Sequence, residues 1–183
     1  NGDHFQNGGL CNGFNINTPQ GSHIFFEGCR AWSNSDDGYD AYGGSGYITF
    51  NRCWAFENGN WDGETGDGAG FKTGQIGATS SGVVRLLTNC LSFDNLGIGF
   101  DESRDNANSV IHNLFNNVSY NNGDRGFNYG YAGVTDVIRN NIGYSNGTSD
   151  GFGTNTVDHN SWQVGDAVAS GDFVTLNSSG VKS

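Results

Sequence analysis

The stretch SNSDDGYDAY, residues 33–42, sets Asp36, Asp37 and Asp40 around Gly38. Carboxylates this close repel one another, and two arrangements relieve the repulsion. One is a hard cation: calcium takes several oxygen ligands at about 2.3–2.6 Å and tolerates irregular geometry. The other is an ordinary solvated turn, because Asp and Gly are both turn formers. The spacing alone leaves both open. Lys72 is one of only three lysine or arginine residues before position 85, with Arg30 and Arg52, so its place relative to the acidic turn matters.

A repeat places these residues. A Gly–aromatic pair recurs at regular spacing in six places, Gly13-Phe14, Gly38-Tyr39, Gly70-Phe71, Gly99-Phe100, Gly126-Phe127 and Gly151-Phe152, with aromatic intervals of 25, 32, 29, 27 and 25 residues. A second pattern follows each of the first five: CRAWSN (29–34), CWAFEN (53–58), CLSFDN (90–95), NVSYNN (117–122) and NIGYSN (141–146). Between them lie HIFFEGC, YITFNRC and VVRLLTNC. These are short, alternating and rich in β-branched and aromatic residues, so they read as strands. Such a repeat with Gly/Asn corners predicts an all-β fold, a right-handed parallel β-helix (a solenoid) of about six coils stacked about 4.8 Å apart. A β-sandwich would show closer strand spacing, and a leucine-rich solenoid needs a Leu-x-x-Leu-x-Leu pattern that is absent.

Stacking turns sequence positions into columns. Asn34, Asn58, Asn95, Asn122 and Asn146 are expected to form an asparagine ladder at one corner. Cys29, Cys53 and Cys90 fall in an inward column continued by Asn117 and Asn141. Stacked parallel neighbours rarely reach disulfide geometry, so this column reads as buried small side chains. Aligned on the Gly–aromatic pair, the position two before the aromatic holds Asn12, Asp37, Ala69, Ile98, Arg125 and Asp150. The position just after it holds Asn15, Asp40, Lys72, Asp101, Asn128 and Gly153. The acidic turn therefore has Asn12 one coil below and Lys72 one coil above, and a cross-coil ion pair of Lys72 with Asp40 and Asp101 would account for the lysine.

Two irregularities point to a binding face instead. From Asn58 to Phe71 takes 13 residues where the matching run takes 5 or 6. The extra loop, GNWDGETGDGAG, lies just before Lys72, and TGQIGATSSG and ESRDNANS lengthen neighbouring connections. Insertions gathered around one column mark a binding face on a repeat protein. Trp61 in the loop can stack on a sugar or simply cover the coil, and Arg104 and Asp101 are further candidates for substrate contact.

Composition narrows the partners. The 183 residues carry 19 acidic side chains against 8 Lys and Arg, a net charge of -11, which argues against nucleic acid because phosphate binding needs basic surface. No apolar run is long enough to span a membrane. The expectation is one domain over 1–183, a processed chain or excised fragment, with an irregular segment over 153–183.

At these motifs the chain resembles family 9 of the polysaccharide lyases, the β-helical pectate lyases. The similar stretches are NSDDGYDAY, GDGAGFKTG, NCLSFDNLGIGFDES and the C-terminal NSWQVGDAVASGDFVTLNSSG, and the resemblance covers nearly the whole chain. It implies a secreted, monomeric, bacterial-type enzyme that cleaves polygalacturonate (pectin), an acidic polysaccharide, by calcium-assisted β-elimination. Carried over residue by residue, Asp36, Asp37 and Asp40 bind Ca2+ and Lys72 is the base. The family's fourth calcium ligand is an Asp in a D-G-F triplet; here the triplet is NGF, so Asn12 keeps an oxygen and drops a charge. A lysine base needs its proton removed, which predicts activity favoured at alkaline pH. Glycosyl hydrolysis by paired carboxylates fits less well, since Asp101 and Asp124 are a poor pair by register. A non-catalytic carbohydrate-binding, adhesin or fibre module with a structural calcium turn, or a lyase for another uronate polymer, are the competing functions.

Overall fold

Alternation decides which side chains enter the core. In Tyr47–Asn51, Ile48 and Phe50 are buried while Tyr47 is exposed, the period of two expected of a strand with one face inward. The structure is a computed structural model that describes residues 8–74, 82–103, 110–130, 134–163 and 168–172. Its first coil is β1 (Phe14–Asn15), β2 (His23–Glu27) and β3 (Arg30–Trp32), and its second is β4 (Tyr39–Asp40), β5 (Tyr47–Asn51) and β6 (Trp54–Phe56). A hairpin, β7 (Asn60–Trp61) and β8 (Glu64–Thr65), interrupts before the third coil of β9 (Phe71–Lys72), β10 (Val84–Thr88) and β11 (Leu91–Phe93). The fourth coil is β12 (Phe100–Asp101), β13 (Ile111–Phe115) and β14 (Val118–Tyr120), and the fifth is β15 (Phe127–Asn128), β16 (Val137–Arg139) and β17 (Ile142–Tyr144). Next comes β18 (Thr156–Asp158), which falls within the C-terminal stretch expected to be irregular.

Equivalent strands pair in parallel, giving three sheets: β1-β4-β9-β12-β15, β2-β5-β10-β13-β16-β18, and β3-β6-β11-β14-β17. This is the predicted parallel β-helix. Among the described residues the strands make five coils plus a partial sixth, where the sequence suggested about six. The reason is register. Bridges align Arg125 with Thr148 and Asn128 with Gly151, so Asp150, not Phe152, comes level with Phe127. Asp150 accepts a hydrogen bond from Phe127 N at 2.8 Å, and Trp162 covers Phe127 with ring centroids 5.4 Å apart. The sixth Gly–aromatic pair is thus two residues out of the expected column.

The columns themselves form as expected. Phe14, Tyr39, Phe71, Phe100 and Phe127 stack with centroids 4.7–5.0 Å apart and planes within 6°, each pair contributing about 0.5–1.5 kcal/mol beyond its buried area. The ladder runs from Asn34 to Asn146, each Nδ2 donating to the next Oδ1 at 2.8–3.0 Å. The backbone N of the same residue donates to the same oxygen. Cys29, Cys53 and Cys90 are free thiols, and the column continues through Asn117 and Asn141 to Asn160 as a second amide ladder. The residue before each first-ladder Asn has a positive φ of 50–55°: Ser33, Glu57, Asp94, Asn121 and Ser145. Left-handed residues make the corner sharp, and the recurrent ladder bonds offset their local cost of about 1–2 kcal/mol each.

Candidate active site

The acidic turn sits at the corner entering the first sheet, where the ladder hands over to β4. Register in that sheet aligns Asn15 with Asp40, Asp40 with Lys72 and Lys72 with Asp101, as the repeat predicted. Strands β4 and β9 are two residues long, so each presents one inward aromatic and one outward polar side chain. Tyr39 and Phe71 anchor inward, and Asp40 and Lys72 emerge side by side.

Within the turn, Asp36 is buried and bonded on both oxygens: Leu10 N donates to Oδ2 at 2.7 Å and Asp67 N to Oδ1 at 2.9 Å. Asp37 is fully buried. Its Oδ1 accepts from Ala69 N at 2.7 Å, while its Oδ2 has no directed hydrogen bond and faces Lys72 Nζ at 3.2 Å. Asp40 accepts from Tyr42 N at 2.8 Å and from Asn12 Nδ2 at 3.1 Å. Asn12 Oδ1 accepts from Asp37 N at 3.0 Å, so Asn12 staples the turn to the coil below.

Lys72 does not bridge Asp40 and Asp101. Its ammonium pairs with Asp67 at 2.8 Å and Asp37 at 3.2 Å, with the side chain 17% exposed, and lies 5.8 Å from the Tyr42 ring centroid. The column geometry was right and the partner choice was not, because the inserted loop brings Asp67 to the amine. Asp67 carries no periodic signal; only its place in the insertion five residues before Lys72 marks it.

The electrostatics follow. Burial pushes the Asp37 carboxyl up to about 7, opposed by Lys72 and the Ala69 hydrogen bond and reinforced by Asp36 and Asp40. Burial would lower Lys72, but Asp37, then Asp67 and Asp40, outweigh it and hold the amine above its ordinary value. The two directions are compatible, since Asp67 alone keeps a cation in place when Asp37 is protonated.

Oxygen atoms of Asp36, Asp37 and Asp67 converge to within 4.8 Å of one another. An anionic, all-oxygen donor set, in which the buried Asp37 Oδ2 has only the Lys72 ion pair and no directed hydrogen bond, fits a hard divalent cation. In front of it opens a cleft of about 560 Å³ lined by Tyr42, Asp67, Lys72, Asp101, Ser103 and Asp124 among others. Asp101 reaches that cleft and accepts from Asn128 Nδ2 at 2.8 Å. Trp61 lies on the hairpin, 47% exposed, and is not among the cleft-lining residues. Arg104 lies outside the described residues.

A second convergence, Glu102, His112 and Asp136, is entirely buried in the coil interior. Asp136 accepts from His112 N at 2.7 Å, Glu102 from Gly130 N at 2.8 Å, and His112 Nε2 meets Thr73 O at 3.0 Å. These bonds brace the backbone behind the cleft.

A family model described as "Pel9A-like, right handed beta helix region" matches residues 1–160. The chain belongs to that family. Its helix is therefore right-handed, as the repeat and the resemblance led one to expect. Pectate lyase L of Dickeya chrysanthemi is 36% identical over 190 residues, covering 98% of this chain and 42% of that protein. Pectate lyase PEL9 of Emericella nidulans is 30% identical over 200 residues, covering 97% and 48%. The crystal structure of pectate lyase Pel9A superposes with a TM-score of 0.75 at 33% identity, over 98% of this chain and 44% of that one. A rhamnogalacturonan lyase shares the fold, with a TM-score of 0.69 at 24% identity over 91% and 46%. The Pel9A-like chain spans less than half the length of these relatives.

Proposed function

We propose that this chain carries the catalytic face of a calcium-dependent pectate lyase that cleaves polygalacturonate by β-elimination with Lys72 as base. The observation that carries the reading is the placement of Lys72 Nζ in the cleft, directly above the acidic turn and in contact with Asp37 and Asp67. Likeness to pectate lyases across nearly the full chain supports it.

Asp36, Asp37 and Asp40 would hold the cation, with Asn12 supplying an amide in place of a carboxylate. When bound, calcium supplies a positive charge that engages the uronate carboxylate and favours the negative charge developing at C5. It also offsets the repulsion an acidic protein would otherwise exert on an acidic polymer.

The chain's own part is proton transfer and positioning. Neutral Lys72 takes the proton from C5, α to the carboxylate. The electron pair forms the C4–C5 double bond, the C4–O bond breaks, and the departing glycosidic oxygen gains a proton from water. Lys72 begins protonated because burial is outweighed by the carboxylates around it. With those carboxylates committed to a cation, less charge holds the proton on the amine. Turnover should therefore rise towards alkaline pH. Such an enzyme would work outside the cell as a monomer, where pectin is met.

The test is ultraviolet absorbance of unsaturated product from polygalacturonate at alkaline pH, with calcium and then with chelator. Absorbance that grows with calcium and stops with chelator is expected. A folded sample that yields none in either condition would defeat the reading and favour a non-catalytic β-helix; product from a different uronate polymer alone would move the substrate.

A further inference from the structure

The inserted hairpin does more than rim the cleft. Gly66 N donates to Ser35 O at 2.6 Å, and Asp67 N donates to Asp36 Oδ1 at 2.9 Å. A Cβ at Gly66 would meet Asp36 Oδ1 at 2.5 Å, so only glycine lets the loop return this tightly onto the acidic turn. The fixed backbone delivers the Asp67 carboxylate to the oxygens of Asp36 and Asp37. Asp67 is the most exposed member, 76% accessible against 0% for Asp37, so its oxygens can still meet an ion from solvent. The buried Asp37 Oδ2 has no directed hydrogen bond and meets, at 3.2 Å, the same Lys72 ammonium that Asp67 meets at 2.8 Å, so the two carboxylates face one cation position. Meanwhile Asn12 commits its Oδ1 to Asp37 N and its Nδ2 to Asp40, and as an amide it brings no charge.

We infer that Asp67, from the hairpin insertion, is a calcium ligand in this chain and restores the negative charge that Asn12 lacks. The inference rests on the cation reading above but concerns a residue from a different element, one that the repeat does not position. Calcium would compete with Lys72 for this carboxylate, which accepts from the amine at 2.8 Å. The site draws one wall from the solenoid and the other from the insertion, so the loop is part of the metal site and not only of the substrate rim.

The experiment is calorimetric titration of calcium ions into the chain and its variants, independent of turnover. Asp67→Asn is expected to weaken calcium by at least about 10- to 100-fold, the loss typical when even a group that only supports the ligands of a metal site is removed. Asp62→Asn removes an exposed charge from the same hairpin away from the cluster, and should change affinity by no more than about twofold, as screened surface charge does. Adding Asn12→Asp to Asp67→Asn should recover most of the loss. Thermal melts check that each variant folds, which is expected because Asp67 is exposed. The inference is overturned by an Asp67→Asn affinity within about twofold of wild type, by an equal loss in Asp62→Asn, or by a wild-type chain that binds no calcium. An unchanged affinity in Asp67→Asn with product formation intact would remove this inference and leave the lyase reading standing.

Discussion

The asparagine ladder and the acidic turn are neighbours in chain and space: Asn34 belongs to one, Asp36 and Asp37 to the other. Both gather polar side chains at one corner, the ladder along the solenoid axis and the acidic turn within a single coil, where Asp36 and Asp37 are buried. Each ladder amide carries donors and an acceptor, so every coil satisfies the next and the column extends without help. A carboxylate only accepts. The acidic turn borrows Leu10 N, Asp67 N, Ala69 N and Tyr42 N, and still leaves an Asp37 oxygen against a lysine without a directed hydrogen bond. A self-satisfying column is structure. A turn in acceptor surplus asks for a positive partner, which is where a binding site can begin.

That contrast can be broken from either side. Lys72→Ala removes the amine from the surplus side, and should reduce release of unsaturated product by about 10²- to 10⁴-fold, the contribution typical of a positioned general base. Polymer retention on immobilised polygalacturonate should persist. Turnover that survives the substitution would assign the proton transfer elsewhere.

On the ladder side, Asn95→Ala removes the acceptor shared by Asn58 N and Asn58 Nδ2. Leaving buried donors unmatched should cost about 1–3 kcal/mol of stability, read as a shift in urea midpoint. Retained turnover per folded molecule would confirm that the ladder is scaffold.

The pH response of the ion-free fold sharpens the comparison. Asp37 has its carboxyl raised to about 7 by burial, above its ordinary value of about 3.9 when unfolded. Its stabilising share is therefore complete below the unfolded value and is lost as pH rises through the folded one. In chelator, thermal stability should decline between about pH 4 and 7, by at most about 1.4 kcal/mol per pH unit from this group. Asp37→Asn should flatten that slope. A slope unchanged by the substitution would show that the ionised carboxylate is already well accommodated.

The smallest effect is expected at Trp61. It is 47% exposed on the hairpin and outside the cleft lining, so Trp61→Ala should alter stability by no more than about 0.5 kcal/mol and leave turnover unchanged. A marked rise in KM would instead place the polymer across the hairpin.

Much of this molecule was legible in the sequence because a solenoid converts chain period into spatial column. Once Gly38-Tyr39 and Gly70-Phe71 are aligned, Asp40 must neighbour Lys72, and the backbone pairing obeys. The ladder asparagines and the thiol column follow from the same period. Only the tertiary structure decided what the period does not reach. The path of an inserted hairpin chose Asp67 as the lysine's partner over Asp40 and Asp101, because a long flexible amine goes to whichever carboxylate is brought closest, whatever its column. In the last coil the register shifts by two residues, and Trp162, from beyond the repeat, packs on Phe127 and Phe152. Periodicity sets where backbones stack; side-chain reach and loop path set which charges meet, and in this protein the chemistry depends on the latter.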